Sequence, residues 1–252
     1  MPLARRALLF GGCALCAACA GPVTERPAAS PQLLSAAEAE IARAGRAPRR
    51  DLSDAEAAAI FQRVGARLTP AAQRLCREMG PGAVCEWRVG LDRSREVNAY
   101  AGPGGVVVLH KGVIETARND DEVALVLGHE MGHQIANHIG RGQQNAALGS
   151  LAGALVGGLL GAGLGMPAEG LARTGGQLGG TAGRLYFSKE QEREADFLAA
   201  RAMRNAGFDL RRGRGFLVTL AALSGPQAAS FLATHPAGPD RLASFDAAVA
   251  TL

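Results

Sequence analysis

The chain of 252 residues is poor in aromatic side chains, which make up only 4% of it. Proteins that bind single-stranded nucleic acid stack bases on such rings, so this scarcity argues against a nucleic-acid surface. The charge agrees, because the formal net charge is only +4. Removing a leader that contains Arg5 and Arg6 would subtract two charges and leave +2. We therefore expect no nucleic-acid partner.

Cysteine is also scarce, and its distribution argues against a cysteine metal site. Three of the five cysteines lie close to the N-terminus, namely Cys13, Cys16 and Cys19. Only Cys76 and Cys85 follow, and they are too far apart for the C-x-x-C spacing of such sites. An even pair in an exported chain favours a disulfide, although two buried thiols are the alternative.

The N-terminal residues have the pattern of a secretory leader. Arg5 and Arg6 form its charged region, and Ala7–Ala18 form an apolar region that is too short for a comfortable membrane span. The end of this region resembles a bacterial lipoprotein signal, in which Cys19 would be the lipidated first residue of the mature chain. Cleavage after Ala20 by the ordinary signal peptidase is the alternative.

Composition divides the chain into three parts. We assign residues 1–18 to a signal peptide, 19–34 to a tether rich in Pro, Ala and Ser, and 35–252 to one folded domain. Within the domain, residues 142–186 form a Gly-rich helical insert without charge from Gly142 to Ala168. The stretch is long enough to span a membrane, but a single span would separate the residues before it from those after it. We therefore favour a glycine-faced helical hairpin, or a re-entrant or interfacial segment.

Capping signals and periodicity predict an α+β fold that is mostly helical. Helices should begin at Ser35, Ser53 and Ser188, because each is followed three residues later by Glu or Gln. Between Val84 and Leu109, apolar residues alternate with polar residues or glycine, which predicts three strands of a small antiparallel sheet. We expect the last strand, Val106–Leu109, to present an unpaired edge.

Residues 129–133 read His-Glu-Met-Gly-His, an H-E-x-x-H pattern inside a helical segment. Asn119 is a suitable N-cap, and acidic residues follow it in the first turn. His129 and His133 are one helical turn apart, so both imidazoles point the same way and can bind one zinc ion. Glu130 lies beside them as a candidate general base. At this point a chance occurrence on an amphipathic helix is the alternative.

A zinc site of this kind needs a third protein ligand. The local option places a Gly three residues and a His six residues after the second histidine, where this chain has Ala136 and Ile139. That class is excluded, and His138, one residue out of place, is interpreted as a surface or capping histidine. The remaining class takes a Glu from a later helix. Three residues qualify by their chemistry: Glu190, Glu192 and Glu194.

Residues 192–196 resemble the E-x-x-A-D motif of the HtpX-like and CAAX-prenyl-protease-like zinc endopeptidases. Residues 98–105 resemble the N-A-F-A-x-P-G-G edge-strand motif of that family, and residues 234–236 with Arg241 resemble its T-H-P…R motif. The Gly- and Ala-rich segment before the third ligand is similar too. The resemblance extends from about Leu52 to the C-terminus and is specific, because four motifs occur in the same order. It is strongest to the short periplasmic LoiP- and BepA-type lipoproteins and to mitochondrial Oma-type proteases.

The resemblance implies a zincin-like metalloprotease domain, α+β and mostly helical, with one Zn²⁺ ion per chain. The implied protein ligands are His129, His133 and Glu192, with water in the fourth position. Glu130 would take a proton from that water and deliver it to the leaving amine. Asp196 would hold a ligating imidazole by its free N–H. His235 and Arg241 resemble a pair that stabilises the oxyanion or occupies the site in a latent state.

Substrate would be held by pairing with the predicted edge strand, which reads the backbone of an extended peptide. The residues predicted for this role are Asn98, Gly105, Val106, Val107 and Val108. The implied function is cleavage of unfolded or misassembled proteins on the periplasmic side of a bacterial envelope, by an outer-membrane lipoprotein. The implied partners are such polypeptides, the membrane through an N-terminal lipid, and the outer-membrane assembly machinery. The alternative is a chaperone-like, zinc-binding escort of outer-membrane proteins with latent or no proteolysis.

The lipoprotein hypothesis predicts how a bacterial host processes the chain. Globomycin blocks the lipoprotein signal peptidase, so it should make an unprocessed precursor accumulate. Cys19→Ala should abolish labelling with radioactive palmitate, while the control Cys13→Ala should keep it. Normal processing in the presence of globomycin would show that the leader is cleaved after Ala20 instead.

Overall fold

The computed structural model describes residues 26–45, 49–79, 84–163, 187–223 and 231–252, together with a few single positions between 167 and 177. The predicted signal peptide, Cys19 and most of the second half of the Gly-rich insert lie outside these residues. The helices are α1 (Pro31–Arg43), α2 (Asp54–Glu78), α3 (Lys111–Thr116), α4 (Asp120–Ile135), α5 (His138–Gly163), α6 (Lys189–Asn205), α7 (Leu210–Gly213), α8 (Gly215–Ala222) and α9 (Pro239–Val249). The strands are β1 (Arg88–Asp92), β2 (Ala99–Gly102) and β3 (Val106–His110).

Helix α4 lies at the centre of the core. It packs against α2 and α6, and against the sheet through β2 and β3. Its apolar residues, including Leu125, Leu127 and Met131, are fully or almost fully buried. The capping boxes at Ser53 and Ser188 form as predicted and start α2 and α6. The predicted fold class, α+β and mostly helical, is confirmed.

Helix α1 begins before Ser35, so the predicted helix start at Ser35 is wrong. Ser30 caps α1 by accepting a hydrogen bond from the backbone N–H of Leu33, and Pro31 is well suited to the first helical position. These residues start the helix one turn before Ser35. Arg26 donates to the backbone carbonyl of Glu190 at 2.9 Å, so the residues before α1 contact the start of α6.

The three strands form a mixed sheet in the order β1-β3-β2. The antiparallel arrangement predicted from the sequence holds for β2 and β3, whereas β1 runs parallel to β3. The cause is the connection through residues 93–98, which crosses the end of β3. Gly112 donates its N–H to Ser94, and His110 donates its N–H to Asn98, each at 3.0 Å. A Cβ at Gly112 would lie 2.1 Å from the carbonyl oxygen of Glu96, so the crossing depends on this glycine.

Strand β3 is therefore the central strand, and the prediction that Val106, Val107 and Val108 present an unpaired edge is wrong. Gly105 also lies inside the fold, because a Cβ there would be 2.5 Å from the carbonyl oxygen of Glu86. The terminal strand beside α4 is β2, which Asn98 directly precedes.

Two further features concern the surface and the covalent structure. A disulfide joins Cys76 to Cys85, with their Cα atoms 5.6 Å apart, and ties the end of α2 to the segment before β1. Helix α5 exposes apolar side chains, including Leu155 (61%) and Leu159 (74%). In the described part of the chain, no helix combines the length and the apolarity needed to cross a bilayer.

Candidate metal centre

Helices α4 and α6 approach closely because small residues face each other between them. A Cβ at Gly132 would lie 2.5 Å from the carbonyl oxygen of Ala195, and one at Gly128 would lie 3.3 Å from the Cβ of Ala199. Larger residues at either glycine would push α6 away. The position of Gly132 between the two histidines was the only sign in the sequence that it had a role. The close contact brings the acidic face of α6 against the histidines of α4.

Four buried side chains converge at this contact, and their ligand-type atoms all lie within 4.8 Å of one another. They are His129 and His133 from α4, Glu192 from α6, and His235 from the segment before α9. The two histidine Nε2 atoms of α4 are 3.0 Å apart, and Glu192 Oε1 is 3.3 Å from His133 Nε2. His235 Nδ1 lies 3.2 Å from His129 Nε2 and 3.1 Å from Glu192 Oε1. Within the described ranges, this is the group that could hold a metal ion.

Asp196 and Arg241 fix the orientation of two of these side chains. The Nδ1–H of His129 donates to Asp196 Oδ1 at 2.8 Å, which turns Nε2 towards the centre of the group. Arg241 donates to both oxygens of Asp196 at 2.8 Å, and its Nη1 lies 2.7 Å from Glu192 Oε2. Arg241 is only 5% exposed. Its guanidinium therefore holds the two carboxylates in place, and this geometry does not direct it at an oxyanion.

The charged groups in this cluster change one another's pKa values. Burial disfavours the charged form of His129, but the carboxylates of Glu192 and Asp196 outweigh it and raise its pKa to about 9. Burial lowers the pKa of His133 well below its usual value. Burial alone would raise the pKa of Glu192 and Asp196, yet Arg241 and His129 lower both. A pKa of about 9 keeps His129 protonated at neutral pH in the metal-free chain, so binding of a metal there would displace its proton.

His133 is oriented by a partner that the sequence did not reveal. Its Nδ1 lies 2.8 Å from His138 Nδ1, and His138 Nε2 lies 3.1 Å from Glu194 Oε2. The carboxylate can only accept, so His138 donates Nε2–H to Glu194 and accepts the Nδ1–H of His133. His138 is 1% exposed, and its interpretation as a surface or capping residue is wrong. Its burial depends on the turn at Asn137 (φ 53°), which sequence periodicity does not show.

Glu130 is enclosed beside the four-residue group. It is 0% exposed, and among the described residues neither of its carboxylate oxygens has a hydrogen-bond partner. His235 Nε2 lies 3.6 Å from its Oε1. Phe187, which the sequence also did not single out, stacks on His133 with ring centroids 3.8 Å apart. The arrangement therefore has a group of side chains that could hold a metal ion, a buried carboxylate that no described residue hydrogen-bonds, and an aromatic wall.

Comparisons with known proteins indicate the same class of site, that of a metallopeptidase. The profile of Peptidase family M48 matches residues 62–249. The chain is 30% identical over 155 residues to mitochondrial metalloendopeptidase OMA1 of Arabidopsis thaliana, covering 62% of this chain and 30% of that protein. It is 35% identical over 157 residues to the beta-barrel assembly-enhancing protease of Escherichia coli, covering 61% of this chain and 32% of that protein. The match thus spans about a third of each relative's length. The family resemblance seen in the motifs is confirmed, and the chain belongs to peptidase family M48.

Proposed function

We propose that the protein is a zinc-dependent endopeptidase that cleaves unfolded or misassembled polypeptides at the bacterial cell envelope. The observation that carries this proposal is the buried carboxylate of Glu130, which has no hydrogen-bond partner in the described part of the chain and lies beside a compact group of metal ligands. Membership of a peptidase family supports the same class of reaction.

The donor set fits zinc. Zinc–nitrogen distances of about 2.0–2.1 Å give a tetrahedral site edges of roughly 3.3–3.4 Å. Four of the six separations among the ligand-type atoms are 3.0–3.3 Å, and all six are within 4.8 Å, so a tetrahedral site requires only local shifts of these side chains. Two or three imidazoles and one carboxylate are also ligands that zinc favours. We assign His129, His133 and Glu192 as the permanent ligands.

The residues around the centre have separate tasks in peptide hydrolysis. When bound, zinc supplies a Lewis acid and makes a water molecule more acidic. Glu130 accepts the proton of the attacking water and then delivers it to the leaving amine. Asp196 and His138 hold the two ligating imidazoles in the orientation that directs Nε2 to the centre. Burial of the whole group excludes bulk water and strengthens each of these interactions.

His235 occupies the position in the ligand group where a reacting water molecule would have to bind. Its Nδ1 faces Glu192 and His129, while its Nε2 faces Glu130. Of the two roles that the family resemblance implied for this histidine, the geometry favours occupation of the site in a latent state. Catalysis then requires the segment that carries His235 to withdraw.

The cellular setting is also part of the proposal. Relatives in Escherichia coli and Vibrio cholerae are named as beta-barrel assembly-enhancing proteases, the second as a putative one. Such names support a role near the assembly of outer-membrane proteins, on the periplasmic side. Attachment through Cys19 would place the domain at that membrane.

An escort of outer-membrane proteins that binds zinc but does not cleave is the second candidate. The relatives' names, which refer to assembly, favour it in part. Glu130 argues against it, because a binding module gains nothing from a buried carboxylate that no described residue hydrogen-bonds.

The ligand assignment predicts different effects for two neighbouring carboxylates. Purified protein should contain about one zinc per chain, and Glu192→Ala should remove it. Glu194→Ala should retain the zinc but weaken its binding by about 10- to 100-fold, because Glu194 contacts His138, which in turn orients His133. Metal analysis after dialysis and competition with a chelator measure both effects. His110→Ala, which changes another buried histidine, is the control and should leave zinc binding unchanged. Loss of zinc from Glu194→Ala alone, with Glu192→Ala still loaded, would refute the assignment.

The proposed base predicts a specific loss of activity. Glu130→Gln keeps the size of the side chain but cannot accept the proton, so cleavage of casein or an unfolded outer-membrane protein should fall by about 10²- to 10⁴-fold. Zinc content should not change. Glu38→Gln, at an exposed position of α1, should behave like the wild type and controls for contaminating proteases. Equal cleavage by the wild type and Glu130→Gln would favour the escort function, especially if both suppress aggregation.

The latent arrangement predicts a gain of activity. His235→Ala frees the fourth corner of the ligand group, so the basal rate of casein cleavage should rise several-fold while zinc stays bound. The double variant Glu130→Gln/His235→Ala should be inactive, which would place the extra activity at this site. A fall in rate in zinc-loaded His235→Ala would instead assign His235 to stabilisation of the transition state.

A further inference from the structure

A pocket of about 610 Å³ opens beside the metal centre, between the end of β2, the first turns of α5 and Phe187. Its volume is in the range of pockets that hold small molecules or large side chains. The lining that the described residues provide is mostly apolar and contains no Asp, Glu, Lys or Arg; it includes Ala101, Pro103, Ile139, Gly142, Ala146 and Phe187. Such a lining suits an apolar group and offers no partner for a charged one.

The pocket shares a wall with the metal centre. Phe187 stacks on His133 at 3.8 Å between ring centroids, and His138, which also lines the pocket, contacts His133 through Nδ1. An occupant of the pocket is therefore separated from a metal ligand by one layer of side chains.

The end of β2 is fixed to the helix that carries the ligands. Gln134, the residue after His133, donates to the backbone carbonyl oxygens of Gly102 and Val106 at 2.8 Å and 3.0 Å. Ala101 and Pro103, on either side of Gly102, form the other wall of the pocket. An extended chain that pairs with the terminal strand β2 would thus pass the mouth of the pocket and the metal centre together.

We propose that this pocket binds one large apolar side chain of the substrate, such as Phe, Leu or Met, close to the bond that is cleaved. The inference rests on the proposed peptidase function and names the substrate class more narrowly. Backbone pairing with β2 makes the site tolerant of sequence, and the pocket adds a preference at one position. The preferred substrate is an extended, unfolded segment that exposes a large apolar residue. Unfolded strands of membrane β-barrels supply such residues at alternate positions.

Gly142 offers a clean way to fill the pocket. Gly142 lines the pocket, and a Cβ at this position would meet no atom within 4 Å. A leucine at this position therefore has room at the base of its side chain. Replacing a helical glycine also improves helix propensity, so Gly142→Leu should remain folded. Gly65 lies in the middle of α2 and outside the pocket, and a Cβ there would likewise meet no atom within 4 Å. Gly65→Leu is therefore a matched control.

The test measures peptide binding, so that it does not depend on turnover. In zinc-loaded Glu130→Gln protein, fluorescent peptides that differ at one position are compared by anisotropy, and the Phe, Leu or Met residue is moved along the peptide. At one position the large apolar residue should improve affinity by about tenfold or more over Gly. Gly142→Leu should abolish that preference, and Gly65→Leu should retain it.

Two results would overturn the pocket assignment. One is a peptide affinity that does not depend on a large apolar residue at any position. The other is a preference that survives Gly142→Leu. Failure of the proposed function would be seen separately, as equal casein cleavage by the wild type and Glu130→Gln.

Discussion

The close contact between α4 and α6 is the constraint on which the rest of the site depends. Gly128 and Gly132 allow the backbone of α6 to approach at Ala199 and Ala195. Only at this distance can a carboxylate from α6 reach imidazoles on α4. The H-E-x-x-H pattern thus carries structural information beyond its two histidines and glutamate. Its fourth residue, Gly132, sets the distance between the two helices that share the metal site.

The second constraint is the cost of burying so many charged groups. Desolvation opposes ionisation of Glu192 and Asp196, and burial of Arg241 is costly as well. Each charge is therefore held against an opposite one: Arg241 contacts both carboxylates, and His129 contacts Asp196. Removing one member would leave an uncompensated charge in the interior. This explains why the residues form a connected network in which Arg241 contacts both Glu192 and Asp196.

Two of the three helix starts predicted from local capping signals are confirmed, whereas features that depend on the path of the chain were not predicted. The starts of α2 and α6 follow from capping residues within three positions of Ser53 and Ser188, and those predictions are confirmed. The family resemblance also predicted which helix would supply an acidic residue. The predicted antiparallel sheet with Val106–Leu109 at its edge is wrong. The crossing at residues 93–98 depends on a close approach to Gly112, which no periodic pattern shows. His138 was misassigned for a similar reason, since its burial depends on the turn at Asn137.

A buried carboxylate without a partner is unfavourable, because it loses its hydration and receives no hydrogen bond in return. At the metal centre, Asp196 receives hydrogen bonds and Glu192 is in contact with cationic groups, while Glu130 lacks a hydrogen-bond partner among the described residues. Packing alone would be better served by an apolar residue at that position. The proposed function gives this carboxylate a partner, the water molecule whose proton Glu130 would accept. His235 Nε2 lies 3.6 Å from Glu130 Oε1, so under the proposed function this histidine would have to move before a water molecule could take that position. The buried carboxylate of Glu130 and the nearby imidazole of His235 are the two features on which the proposed latent state of the site rests.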